Sequence, residues 1–203
     1  VTVFYLVRHG VTSHTGHKLS GWMPDIHLTD AGRAQAEAAA ESLANAPLKS
    51  IYASPIDRTA ETAKIIAARH DLRVRTRKDL GEVEYGRWTN KSLKVVAHTK
   101  LWTKVQRWPA GATFPDGESF VAVQNRGVAA IEALRARHPK DHVCIVSHGD
   151  VIRLVVAHYM GVHLDLFQRI HVTPGSLTVL AITDEGPGIL TLNAPPGSHL
   201  GGP

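Results

Sequence analysis

Short, uninterrupted apolar runs punctuate the chain at Val3–Val7, Ser50–Ala53 and Val143–Val146. Continuous rather than alternating hydrophobicity marks strands covered on both faces, as in a parallel sheet lying between helices. The stretches between these runs repeat apolar residues at helical spacing: Ala36, Ala39, Ala40 and Leu43; Ala60, Ala63 and Ala67; Phe120, Val123, Ala130, Ile131 and Leu134; Val151, Leu154, Val155 and His158. Strand and helix therefore alternate, which predicts an α/β protein, a three-layer α/β/α sandwich with a mostly parallel central sheet. Thr29 or Asp30 caps the first helix, and Pro47 with Lys49-Ser50 leads into the second strand. Leu177–Ile182 and Ile189–Leu192, separated by Asp184-Glu185-Gly186-Pro187-Gly188, predict a late hairpin at the sheet edge.

No repeat or linker interrupts the pattern, so residues 1–192 read as a single domain. Its least regular part is an expected helical insertion around residues 89–116, where Lys91, Lys94, Lys100 and Lys104 step along one side of a helix as a solvated face. Within it, Trp102 and Trp108 read as packing residues. Residues 193–203 are dense in Gly and Pro and read as a flexible tail. A length of 203 residues, 43% hydrophobic and 20% charged, suits one globular domain and excludes a disordered or fibrous chain.

Charge narrows the ligand class. The net charge of +5 favours anions: phosphate esters, nucleic acid or acidic lipids. The N-terminal apolar stretch meets Arg8 too soon to span a membrane, and no membrane association is expected. The lone cysteine, Cys144, lies inside an apolar run and can form no internal disulfide, so a cytoplasmic setting is expected.

Two of the apolar runs lead into the same kind of sequence. The first ends in Arg8-His9-Gly10 and the third in Ser147-His148-Gly149-Asp150, where open α/β sheets place their ligand sites. The second leads into Ser54-Pro55-Ile56-Asp57-Arg58-Thr59, a strand end followed by a helix start, and helix N-termini also favour anions. Two arginines and two histidines at strand ends make a phosphate clamp.

These pieces resemble the histidine phosphatase superfamily, which includes phosphoglycerate mutases and broad-specificity phosphatases. The resemblance is carried, in family order, by Leu6-Val7-Arg8-His9-Gly10; Gly21-Trp22 with Leu28-Thr29-x-x-Gly32-x-x-Gln35-Ala36; Ser54-Pro55-x-x-Arg58-Thr59-x-Glu61-Thr62-Ala63; Leu80-x-Glu82-x-x-x-Gly86-x-Trp88; Gly117-Glu118-Ser119; and Val146-Ser147-His148-Gly149. Thr15-Gly16 and the run His163–Arg169 are similar to a subgroup often labelled phosphomutases. The resemblance implies a phosphoglycerate mutase-like fold and a metal-independent phosphomonoesterase acting on a small phosphorylated metabolite. By the same resemblance His9 is the nucleophile, phosphorylated during turnover, and Arg8, Arg58 and His148 hold the transferring phosphoryl oxygens. Glu82 falls on the proton-donor position, and Thr15 and Gly149 complete the phosphate pocket. Physical chemistry agrees in part: an imidazole attacks phosphorus only when neutral, and Arg8 and Arg58 disfavour its protonated form. Glu84 is the rival acid, on the same face as Glu82 if the segment is extended. Where the mutase pattern has a glutamate and a serine after R-H-G and an asparagine six residues beyond the histidine, this chain has Val11, Thr12 and Thr15.

Three readings compete. A hydrolase leads; a phosphoglycerate mutase-type isomerase would use the same residues, but no adjacent arginines lie between Trp88 and Phe114 to grip a substrate carboxylate. A phosphate- or nucleic-acid-binding protein without turnover predicts a broken catalytic set, whereas Arg8, His9, Arg58, Glu82 and His148 are all present; aromatic content is 6% with no interleaved aromatic and basic stretch, so no nucleic-acid partner is expected. No cofactor is expected. His14-x-x-His17 lacks the Asp, Glu or Cys partners of zinc sites, so no metal is expected either. Arg153, four residues after Gly149, either reaches the substrate or pairs with Asp150, with the pairing the preferred reading. A homodimer, through the edge hairpin or the other side of the sheet, is one arrangement the chain permits.

Overall fold

A computed structural model describes residues 1–199. Six strands, β1 (Thr2–Arg8), β2 (Leu48–Ala53), β3 (Val74–Thr76), β4 (His142–Ser147), β5 (Leu177–Ile182) and β6 (Pro187–Ala194), form one sheet in the order β3-β2-β4-β1-β5-β6. β3, β2, β4 and β1 pair in parallel; β5 runs antiparallel to both β1 and β6. The late hairpin therefore closes one edge, as the sequence suggests, and the sheet is mostly parallel. β3 was not legible: at three residues it is too short to carry an apolar run, and two of the three are exposed.

The described residues form six α-helices, α1 (Asp30–Ser42), α2 (Asp57–Ala68), α3 (Leu93–Val96), α4 (Lys100–Arg107), α5 (Phe120–Arg137) and α6 (Gly149–Tyr159), of which α1, α2, α5 and α6 cover the sheet. Thr29 caps α1, its side chain accepting from the Gly32 N–H. Alternate residues of β1 explain the layers. Val3, Tyr5 and Val7 join Ala39, Ala40, Leu43, Ala63 and Ile66 of α1 and α2 on one face. Phe4 and Leu6 join Val123, Ile131, Leu134, Val151 and Val155 of α5 and α6 on the other. Period-two side-chain alternation between two helical layers makes β1 apolar at every position from Val3 to Val7.

The insertion is two short helices rather than one. α3 ends at Val96 and Thr99 caps α4, its hydroxyl accepting from the Trp102 N–H, so the four lysines do not share one face. Trp102 packs against the core, and Trp88, Phe114, Phe120 and Phe167 continue from it as a chain of aromatic contacts. Trp108, expected to pack, is 55% exposed, with Lys104 Nζ 4.8 Å from its ring centroid. Where a flexible tail is expected from Asn193, Asn193 and Ala194 belong to β6, and the Gly197 N–H donates to Ala38 O and Ser42 Oγ. Residues 200–203 of that tail lie outside the described residues. Among the described residues, no helix is long and apolar enough to cross a membrane.

Candidate active site

The parallel register of β1 and β4 aligns Arg8 with Ser147, so His9 and His148 leave the sheet side by side. Their ring centroids are 5.3 Å apart, edge to face. β2 ends level with them, Ala53 opposite Val146, and delivers Ser54 and then α2. Each polar residue of that connection has a partner here. Ser54 Oγ lies 2.9 Å from His148 Nε2, and Thr62 Oγ1 accepts from the Gly10 N–H. Arg58 Nε donates to His9 Nε2 at 3.2 Å; its Nη2 donates to Gly21 O at 2.9 Å and lies 3.2 Å from His148 Nδ1.

His9 Nδ1 lies 2.7 Å from Gly10 O. A carbonyl can only accept, so Nδ1 carries the proton and Nε2 presents its lone pair, the tautomer consistent with the Arg58 bond. Burial, more than the neighbouring Arg58 and Arg8, holds the His9 pKa well below the ordinary imidazole value. His148 is depressed for the same reason, with Arg58 next in weight; its Nδ1 is an acceptor, and Nε2–H faces Ser54.

Arg8 Nη1 donates to Val172 O at 2.6 Å, and its guanidinium passes Gly149, where a Cβ would lie 3.2 Å from Arg8 Cζ and Nε. Gly149 thus makes room for the clamp and begins α6, whose N-terminus faces the same cleft. Gly10 is required by close approach to α1, since a Cβ there would lie 2.2 Å from Gly32 O.

Glu82 lies on an irregular segment braced by Trp22 and Arg126. Trp22 stacks where a Gly81 side chain would be, and its Nε1 donates to Glu82 O at 2.7 Å. Arg126, from α5, donates to the carbonyls of Asp79, Gly81 and Glu82 and pairs with Glu118. This explains Trp22 and Gly117-Glu118-Ser119, which hold the Glu82 loop, whereas the Gly21 carbonyl accepts from Arg58. The Glu82 side chain is 12% exposed, with Oε2 3.7 Å from His148 Nδ1. Burial and then the charge of Asp150 raise its pKa to about 7, against the pull of Arg58, the Val83 N–H and Arg8. Glu84 does not share its face; it is exposed, lines a different cavity with Trp22 and Asp116, and its N–H donates to Glu118 Oε2.

A cleft of about 140 Å³ brings together Arg8, His9, Thr15, Arg58, Glu82 and Gly149. His148 lies behind it, fully buried. Thr15 Oγ1 accepts from the Thr12 N–H and lies 3.2 Å from Thr12 Oγ1, closing the loop after Gly10. Three residues not selected from the sequence also line it or shape its charge: Tyr85, whose hydroxyl donates to Asp150 Oδ2, Asp150 itself, and His14, bonded to Ser20 Oγ. Their signal is tertiary only. Arg8 Nε and Arg58 Nη1 are buried with no hydrogen-bond partner among the described residues, donors suited to phosphate oxygens. Outside the cleft, Asp25, His27 and Asp57 place one ligand-type atom each within 4.8 Å of the others, but Asp57 already accepts from the Asp25 N–H and His27 bonds Glu61.

The histidine phosphatase superfamily (branch 1) matches residues 4–195. The chain belongs to this superfamily. Phosphoserine phosphatase 1 of Hydrogenobacter thermophilus is 31% identical over 196 residues, covering 91% of this chain and 92% of its own. A phosphoglycerate mutase-like protein of Arabidopsis thaliana is 33% identical over 156 residues, 73% of this chain and 66% of its own. Among solved structures, Bacillus stearothermophilus YhfR superposes with a TM-score of 0.89 at 26% identity, covering 98% of this chain and 99% of its own. As a histidine phosphatase the chain is a phosphomonoesterase by family, with mutases as near relatives.

Proposed function

We propose that this histidine phosphatase hydrolyses small phosphomonoesters through a phosphohistidine on His9. The observation that carries the reading is the His9 tautomer: Nδ1–H bonded to Gly10 O leaves an Nε2 lone pair beside two arginines with unsatisfied donors. In the first half-reaction that lone pair forms the N–P bond as the ester P–O bond breaks, and the Glu82 carboxyl gives its proton to the departing alkoxide. Arg58 Nε, bonded to Nε2 in the free enzyme, exchanges this contact for a phosphoryl oxygen and so frees the nucleophile. In the second half-reaction the Glu82 carboxylate takes a proton from water, whose oxygen attacks phosphorus; the P–N bond breaks and Nε2 regains its lone pair. Arg8 and Arg58 supply the positive charge throughout, and turnover proceeds without a metal. His148 gains a proton when the phosphate dianion arrives and becomes a further donor. Thr15 and the Gly149 end of α6 complete the phosphate cradle.

Similarity to phosphoserine phosphatase 1 over nearly the whole of both chains supports hydrolysis over isomerisation. The decisive assay is phosphate release from a panel of phosphomonoesters in chelator, by wild type and His9→Ala, beside conversion of 3- to 2-phosphoglycerate. Release that requires His9 and tolerates chelator is expected; interconversion without release would make the protein a mutase. The buried, unpaired Cys144 supports a cytoplasmic setting, and the exposed Leu190 and Leu192 of edge strand β6 are the surface on which a homodimer would form, tested by sedimentation.

A further inference from the structure

The positive charge of this chain is concentrated in one segment. Six of the 23 lysines and arginines, and none of the 18 acids, lie between Tyr85 and Pro115, which leaves 17 cations against 18 acids elsewhere. Arg87 pairs with Asp116. Lys91, Lys94, Lys100, Lys104 and Arg107 make no ion pair with any described acid.

The way the insertion folds turns these charges outward. Leu93, Val96, Trp102 and Val105 pack toward the core from α3 and α4. Lys91, Lys94, Lys100 and Arg107 are exposed and Lys104 is half-buried. On α4, Lys100, Lys104 and Arg107 recur at helical spacing on the side away from Val105. Two large apolar residues stand among the cations. Val95, at 62%, is the most exposed of the described large hydrophobic residues, and Trp108 is exposed as well.

Unpaired cations around exposed apolar side chains fit an anionic surface with an apolar interior. A nucleic acid fits less well. It would use the indole as a stacking platform, but Lys104 Nζ lies over that ring, which also rests against Gly111, where a Cβ would lie 2.6 Å from Trp108 Cε2. The cations project from two helices rather than along one track. Headgroups in a fluid layer adapt to such a scatter, whereas a duplex presents its phosphates at fixed spacing.

We propose that the outward side of α3 and α4 docks peripherally on a membrane surface rich in acidic phospholipid, with the lysines and Arg107 over the headgroups and Val95 and Trp108 at the interface. This contact needs no spanning segment, so the shortness of the N-terminal apolar stretch does not bear on it. The docked segment is joined to the cleft: Leu93 N–H donates to His17 O and Leu19 N–H to Lys91 O, which holds the loop carrying Thr15 and Lys18 beside it.

Flotation of the full chain with vesicles of phosphatidylcholine alone, or of phosphatidylcholine and phosphatidylserine in equal parts, tests this. Binding to the mixed vesicles alone is expected, weakening as salt is raised. Lys94→Gln, Lys100→Gln and Lys104→Gln together should weaken it by about tenfold to a hundredfold, and Trp108→Ala should weaken it by a smaller factor. Lys49→Gln, Lys64→Gln and Lys140→Gln together remove as much charge from exposed positions outside the insertion and should keep most of the binding. Thermal melting shows that each variant is folded. Soluble glycerophosphoserine should not release the protein from the vesicles. No binding to mixed vesicles, equal binding to both kinds, or equal loss in the two triple variants would overturn the proposal. Release by glycerophosphoserine would also overturn it, in favour of a headgroup pocket. So would tighter retention of single-stranded RNA than of mixed vesicles through the same lysines, which would make the segment a nucleic-acid surface. None of these outcomes depends on turnover at His9.

Discussion

Arg126 Nη2 donates to the backbone carbonyl of Glu82 at 2.9 Å, so a residue on α5 sets where the acid stands without touching the cleft. The same guanidinium reaches Asp79 O and Gly81 O and is itself fixed by Glu118. Arg126→Lys keeps the charge but loses the fork. Turnover of alkyl phosphates should fall about tenfold, that of p-nitrophenyl phosphate should fall less, and stability should drop by about 1–3 kcal/mol, the cost of leaving buried acceptors unpaired. Steady-state kinetics with both esters and urea unfolding check this; equal losses on the two esters would assign Arg126 a purely structural part.

Glu82→Gln removes the acid while keeping the shape. Release from alkyl phosphates should slow by about 10²–10⁴-fold, the usual contribution of a positioned general acid. For p-nitrophenyl phosphate the phosphorylation half-reaction, read as kcat/KM, should change little, because p-nitrophenolate departs without a proton. Equal losses on both esters would count against Glu82 as proton donor.

The dependence on pH follows from the same carboxyl. With a pKa of about 7, Glu82 holds its proton below that value and loses it above, so kcat/KM for alkyl phosphates should fall as pH rises through about 7. The limb should vanish in Glu82→Gln. The nucleophile sets no limb near pH 6.5, since buried His9 stays neutral well below that. Stability is linked to the same shift: between 4.5, the ordinary value for the unfolded chain, and about 7 the folded state binds more protons, so Glu82 contributes a fall in stability as pH rises across that window. Urea unfolding of wild type and Glu82→Gln between pH 4.5 and 7 measures the difference.

Gly149→Ala tests the clearance for Arg8. The added methyl would sit 3.2 Å from the guanidinium and displace it. We expect kcat/KM to fall by about tenfold or more as one phosphate donor is misplaced. The melting temperature should change little, because alanine suits the first turn of α6. Unchanged kinetics would show that Arg8 has room to yield.

Cys144 is fully buried in β4, and burial pushes its thiol up to about 12. A thiolate-selective reagent should leave the native protein unmodified at pH 8 and titrate one thiol in denaturant. Rapid labelling of folded protein would show that β4 opens.

The layered fold was legible because it is written in local periodicity. The apolar run of β1 is readable as a doubly covered strand, and the helical spacing of α1, α2, α5 and α6 shows which faces they bury. β3 and the break between α3 and α4 were not, because three residues or a single capping threonine carry too little pattern to stand out. The convergence of Arg8, His9, Arg58 and His148 was legible as well: each lies at or just beyond a strand end, and their neighbours match a family. What sequence could not decide is the environment that gives these residues their chemistry. Glu82 and Glu84 are two positions apart, and only folding buries one beside Asp150 and sends the other to solvent. Arg126 lies 44 residues beyond the carbonyl it holds, and Tyr85 meets Asp150 across 65. Periodicity reports which side of an element is buried, whereas proton affinity and hydrogen-bond supply depend on groups brought together from distant parts of the chain, so only the tertiary structure determines them.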